Sequence, residues 1–194
     1  MLILVAALAG GLVAGYALGG RVRNLEYLKL NLPWLVFLAL GLQLIIFSPF
    51  GQPFSDTITV ALHLFSYALI LAFAAANWRE PGITFASVGI VSNVIAIAAN
   101  GGYMPASRRA LELAGITVAA EPHNNSAVAE HSVRLLVLGD VMAVPEWVPL
   151  VANVFSVGDV LIAGGVALML ATAMRAPVRA RRMDATEAPA QVAP

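Results

Sequence analysis

The run Asn153-Val154-Phe155-Ser156-Val157-Gly158-Asp159-Val160-Leu161-Ile162 sets one carboxylate inside the last long apolar segment of the chain, with no Lys or Arg within fifteen residues on either side. An ionisable group in hydrocarbon costs about 3 kcal/mol on insertion scales, so it marks a function and calls for a partner. Whether the surroundings are hydrocarbon is answered by composition. Of 194 residues, 60% are hydrophobic and 11% charged, with a mean hydropathy of +0.84. A soluble domain carries about 25% charged residues. The reading is therefore an all-α, polytopic membrane protein, with too little polar sequence left for a second soluble domain.

Working outward from Asp159, five stretches are long enough for the ~20 residues a spanning helix needs. They are Leu2–Gly20, Leu32–Phe50, Thr57–Ala76, Ile83–Ala99 and Val148–Met174. The first has no basic residues before it and carries Arg21 and Arg23 after it, which argues against a cleaved signal peptide and for an anchor with its N-terminus outside. Alternate threading then puts Arg21, Arg23, Lys29, Arg79, Arg175, Arg179, Arg181 and Arg182 on the cytoplasmic side, against Arg108, Arg109 and Arg134 outside. That bias follows the positive-inside rule. It predicts a single membrane domain over residues 1–174 in a bacterial inner membrane, with an external segment over 100–147. A disordered cytoplasmic tail follows over 175–194.

Ala7, Gly11, Gly15 and Gly19 recur at steps of four in the first span, which lets another helix backbone come close. The seam serves either packing within this chain or a homo-oligomer or membrane-protein partner. The external segment opens on a sharp turn, Asn100-Gly101-Gly102-Tyr103-Met104-Pro105, and Ser107 and Gly115 bracket a short helix. Val133–Leu138 is apolar but too short to span, and is expected to deliver Leu138-Gly139-Asp140 beside the top of the fifth span.

Helical rise places Gln43, His63, Asn93 and Asp159 roughly 9–14 Å below the outer ends of four different spans. Asn100, Asn153 and Ser156 add polar groups at the same end. Singly, such residues are often interhelical hydrogen bonds worth ~0.6 kcal/mol. Together they predict an outward-facing polar pocket. Absence of Cys excludes disulfides and Cys-ligated metals. His123 and His131, with Glu121 and Glu130, match no metal spacing, and His63 as the one intramembrane His excludes bis-His haem for a monomer. No phosphate loop or dinucleotide fingerprint is present, and a net charge of zero gives nucleic acid no footprint. The expectation is no metal, no cofactor, and membrane lipids as surroundings.

Two resemblances add to this. The strings Ala99–Pro105, Leu138-Gly139-Asp140 and Asn153–Asp159, with Leu18-Gly19-Gly20-Arg21 and Gln43, resemble a bacterial multi-pass membrane family, domain-of-unknown-function family 5317. That resemblance implies a fold and no activity. Phe155-Ser156-Val157-Gly158-Asp159, followed by Ile162 and Gly165, is similar to the F-N-x-A-D motif that opens the last span of lipoprotein signal peptidase (signal peptidase II), an intramembrane aspartyl protease. This likeness implies a catalytic dyad of Asp140 and Asp159, sharing one proton. Asn100 and His63 would serve substrate or the attacking water. Ser156 stands where that family has Asn, Gly158 where it has Ala, and no G-N-x-x-D-R string occurs. Three function classes follow: an aspartyl-type hydrolase on a lipid-linked or membrane peptide substrate, an accessory or structural subunit of a larger membrane complex, and a small proton-coupled transporter or binding protein.

Overall fold

Each apolar run becomes a helix, because in such a sequence the helix satisfies every backbone group within its own segment. The computed structural model describes residues 2–51, 54–116, 126–128, 133–148 and 152–175. Its long helices are α1 (Leu2–Ala17), α2 (Trp34–Ile46), α3 (Asp56–Ala76), α4 (Ile83–Ala99) and α6 (Val157–Ala173), with a short α5 (Arg108–Leu113) between the last two. The fold is mostly helical, as expected. The starts and stops follow local chemistry. Pro33 precedes α2 with φ −61°, the angle its ring imposes. Gly19, at φ +77°, ends the first run in a conformation that favours glycine.

The helices alternate in direction. α6 lies antiparallel to α4, with Gly82 beside Gly165 and Gly89 beside Gly158, and parallel to α1, with Gly11 beside Ala167 and Gly15 beside Met174. α2 packs chiefly on α3. The glycine seam of α1 is therefore occupied by α6 of the same chain at Gly11 and Gly15, while Gly19 faces open space. At one end of the bundle the connections are tied by polar pins. The Arg21 amide and the Asn24 side chain both donate to the Met174 carbonyl, at 2.9 and 2.6 Å. Asn31 and Asn77 exchange two bonds of 2.7 and 2.8 Å. This basal end carries Arg21, Arg23, Lys29, Arg79 and Arg175.

The opposite end is covered by an element that hydropathy did not reveal. A four-stranded sheet runs in the order β2-β1-β3-β4, built from β1 (Met104–Ala106), β2 (Ser126–Val128), β3 (Asp140–Val144) and β4 (Asn153–Ser156). The all-α expectation is corrected to this extent: the segment between α4 and α6 is a small sheet with a short helix, pinned to the bundle. The turn at Asn100–Pro105 is present, with Gly101 at φ +68° and Gly102 at φ +100°. Ser107 and Gly115 flank α5, also as expected. Leu136–Leu138 forms a 3-10 turn, and Leu138 packs on the Ala96/Ile97/Met104 cluster, so the apolar run does reach the bundle.

Two of the expected spans change in extent. The run Leu32–Phe50 is helical only to Ile46, then breaks at Pro49–Gly51 into a 3-10 turn. The run Val148–Met174 becomes helical only at Val157, because Asn153–Ser156 pairs with Val144–Asp140 as a strand. Among the described residues one helix, α3 with 21 residues, is long and apolar enough to cross a membrane; α1, α2, α4 and α6 are apolar and have 16, 13, 17 and 17. Helix length alone therefore does not carry five full spans. The tail beyond Arg175, and His123, His131, Glu121 and Glu130, lie outside the described residues.

Candidate functional site

Asp159 sits in the first turn of α6, not nine residues into a span. Ser156 is the N-cap residue: its hydroxyl accepts from the Asp159 amide at 3.0 Å, and the Asp159 carboxylate accepts from the Ser156 amide at 3.0 Å. This reciprocal capping box satisfies two backbone donors that a helix start otherwise leaves open. It was legible as Ser-x-x-Asp before an apolar run, a signal that the interest in Asp159 as a lone intramembrane charge passed over. The box also supplies part of the partner that an isolated carboxylate needs.

The rest of that partnership comes from α4. Asn93 donates from Nδ2 to Asp159 Oδ1 at 2.8 Å and accepts from Ser156 Oγ at 2.9 Å. Asn93 and Ser156 are both buried. Gly158 makes the approach feasible, since the Asn93 amide occupies the space where a Cβ at 158 would stand. Three side chains from two helices thus form one hydrogen-bonded node, with the second Asp159 oxygen turned to its own backbone.

Asp140 opens β3 and pairs with Ser156 across the β3–β4 ladder, so both aspartates flank the same serine. A register shift between Asp140 and Met142 marks a bulge, a device that re-aims side chains next to sites. The Asp140 carbonyl accepts from the Ser107 amide at 2.9 Å, which holds the strand to the start of α5. Its side chain is only 8% exposed. Burial, and secondarily the charge of Asp159, push the Asp140 carboxyl up from 3.8 to about 7. Asp140 thus lies within the field of Asp159, with no direct hydrogen bond between the two among the described residues.

A cavity of about 450 Å³ opens below the node, within the ordinary range of ligand pockets. Its polar lining is Gln43 of α2, Tyr67 of α3, Asn93 of α4 and Asp159 of α6; the other lining side chains are apolar. The expected meeting of polar groups from four helices is therefore present with one exchange of residue. The α3 position is held by Tyr67, one turn beyond His63, and Tyr67 lies in the field of both Asp159 and Asp140. An aromatic residue inside an apolar run carries no local signal for such a role, which is why the sequence did not single it out.

The other expected pocket residues are placed elsewhere. His63 is 2% exposed, with its ring edge-on to Phe47 at 4.9 Å and tilted on Tyr67 at 5.2 Å. Its Nδ1 lies 3.4 Å from the Gly102 carbonyl. It backs Tyr67 and does not line the cavity. Asn100 is a pin: it donates to the Ala96 and Arg134 carbonyls at 2.7 and 2.8 Å and accepts from the Arg134 amide at 2.8 Å. Every hydrogen-bonding group on its side chain ties α4 to the incoming 3-10 turn, so substrate contact is not its position. Asn153 starts β4 opposite Val144, away from the cavity lining. Gln43 donates to Ser66 Oγ at 2.9 Å, joining α2 to α3.

Among the described residues no group of three or more His, Cys, Asp or Glu is placed to hold a metal ion. No curated protein matches this chain, and no solved structure does. A family model covers residues 27–171, from the end of the first basal connection through nearly all of α6. With three quarters of its length so matched, the chain belongs to the family of unknown function DUF5317.

Proposed function

We propose that this protein is an aspartyl-type hydrolase of the bacterial inner membrane, acting on a lipid-linked or membrane-embedded substrate. The observation that carries this is the unequal pair of carboxylates: Asp140 buried with its carboxyl raised to about 7, and Asp159 held as an acceptor by Asn93 and the Ser156 amide. Environments that separate two neighbouring acids assign one as proton donor and the other as base.

In the proposed step Asp159 takes a proton from a water molecule as its oxygen attacks the scissile carbonyl. Asp140 gives its proton to the carbonyl oxygen. Collapse of the tetrahedral species expels the leaving group, which takes a proton from Asp159, while the hydroxyl proton returns to Asp140. Both residues end as they began, and one water is consumed. Tyr67, beside both carboxylates, is placed to orient the carbonyl.

The membrane part of the reading is supported by surface chemistry. Large apolar side chains are exposed on several helices, including Phe37, Phe65, Phe85 and Val88, as a surface facing lipid would be. Cations gather at the basal end, with Arg108, Arg109 and Arg134 at the sheet end, in keeping with an N-terminus outside. Helices of 13–17 residues cover about 20–26 Å, so this reading has the bilayer thin locally around them and the flanking turns complete the crossing.

The test compares membrane extracts of cells making the wild-type chain, Asp140→Asn or Asp159→Asn at equal abundance, by mass spectrometry of lipids and membrane peptides. A product present only with the wild type, and reduced by about 10³ or more in both variants, is the expected result. A product that persists in either variant removes the dyad.

A further inference from the structure

The cavity below the carboxylates has a shape and chemistry that the hydrolytic step does not by itself require. Its lining runs from Gln43 back to Pro33 on α2, from Asn93 back to Ile83 on α4, and from Asp159 on to Met169 on α6. Each run is eleven residues, or ten helical steps, so the cavity follows three helices for about 15 Å. All its polar side chains lie at the carboxylate end. The remainder is walled by residues such as Val36, Leu40, Ile90, Ile162 and Val166, with no hydrogen-bonding side chain.

That distribution selects the occupant. An extended peptide would bring amide donors and acceptors against walls that cannot answer them, and each unsatisfied group there costs several kcal/mol. A helical peptide satisfies its own backbone, and its competition with an alkyl chain is an outcome of the test below. An alkyl chain has no hydrogen-bonding groups and a narrow section. Phe37 lines the cavity and is nevertheless 74% exposed, so the slot is open sideways at α2, toward the surface that carries the outward apolar side chains. Entry from there needs no passage through water. At the far end Gln43, Asn93, Tyr67 and Asp159 match a carbonyl with hydroxyl or amide groups beside it.

We propose that this cavity seats one acyl chain of an amphiphile that enters sideways past Phe37, with the acyl carbonyl at the Asp140/Asp159 end; the placement of the carbonyl rests on the hydrolase reading, and the chain site does not. The substrate class is thereby an acyl ester or acyl amide of a membrane lipid.

The test uses the full chain in phosphatidylcholine nanodiscs and palmitic acid bearing a mid-chain diazirine, followed by peptide mapping of the photo-adducts. Adducts are expected on Val36, Leu40, Ile90, Ile162 and Val166, competed by unlabelled palmitic acid. Filling the slot by Ala86→Phe on α4 or, as a second variant, Val166→Trp on α6 is expected to lower them by about tenfold. Adducts confined to the outward residues Phe65, Phe85 and Val88, which surrounding lipid reaches anyway, would overturn the proposal, as would competition by an apolar helical peptide in place of palmitic acid. Asp140→Asn should label like the wild type. Labelling without any hydrolysed product would end the hydrolase reading and leave the acyl site standing; product without slot labelling would do the reverse.

Discussion

The contact between α4 and α6 and the contact between those helices and α2/α3 are built on opposite principles. Along α4–α6, glycine faces glycine at two levels, so backbone meets backbone with no side chain between. Gln43 and Tyr67 face the hydrogen-bonded Asn93–Asp159 pair across the cavity on the other side. Close packing and void are thus adjacent, a few ångströms apart. The seam is what allows an open cleft beside it: α4–α6 fixes Asp159 while the α2/α3 hairpin forms the far wall.

The sharpest way to break the comparison is to put a side chain into the seam. Gly89→Leu would meet the Gly158 carbonyl and Ile162, and backbone there cannot move aside without separating the helices. A loss of more than about 3 kcal/mol is expected, read as failure to fold or a large fall in Tm in detergent. The same change at Gly41, where no neighbour lies within 4 Å, should leave Tm nearly unchanged.

The second test uses the sheet, which is joined to the tight half through the Asp140–Ser156 pair. The Asp140 carboxyl is raised from 3.8 to about 7, so the folded state holds its proton more firmly than the unfolded chain does. Its contribution is complete below about pH 4 and is lost as pH rises toward 7, by about 1.4 kcal/mol per pH unit in that window. Wild-type Tm is therefore expected to fall between pH 5 and pH 7. Asp140→Asn, which carries no proton to lose, should flatten that fall. An unchanged slope in the variant would assign the pH dependence to another group.

The smallest effect belongs to the loose half. Gln43→Leu removes the bond to Ser66 and is expected to cost about 0.6 kcal/mol, seen as a shift of a degree or two in Tm. A cost several times larger would mean that the α2/α3 hairpin depends on polar pins more than its open packing indicates.

The tight half and the loose half were not equally legible in the sequence. Each long helix was legible as an apolar run of 13 to 21 residues uninterrupted by proline, and the Ala7–Gly19 repeat announced a seam within a single segment. The α4–α6 seam was not, since Gly82, Gly89, Gly158 and Gly165 acquire meaning only when two distant segments are laid antiparallel. The polar node was half legible. Gln43 and Asn93 followed from counting helical turns; the count misplaced Asp159, which opens α6, and Tyr67, despite Ser66 beside it, reads as a packing aromatic. Asn153–Ser156 was misread as helix because hydropathy does not tell a buried strand from a buried helix turn. The strands β1 and β2, three residues each, are too short for alternation to show. Asn100 was drawn to the pocket by its place in a turn string, and its three bonds to Ala96 and Arg134 show that a conspicuous polar residue can be entirely occupied by backbone.

The Met174 carbonyl accepts from the Arg21 amide and from the Asn24 side chain, the latter across 150 residues of chain. α1 has its principal partner in α6, which is made well after it. At 5–20 residues per second, roughly 8 to 30 s separate their synthesis. Through that interval α1 and its glycine face wait without the surface they fit, and the carbonyl that the first basal connection will grip does not yet exist. The contact of α1 is therefore completed only when α6 is made: a ribosome stalled before Val157 leaves α2–α4 free to associate and α1 a lone apolar segment, exposed to whatever chaperone or protease surveys unfinished chains.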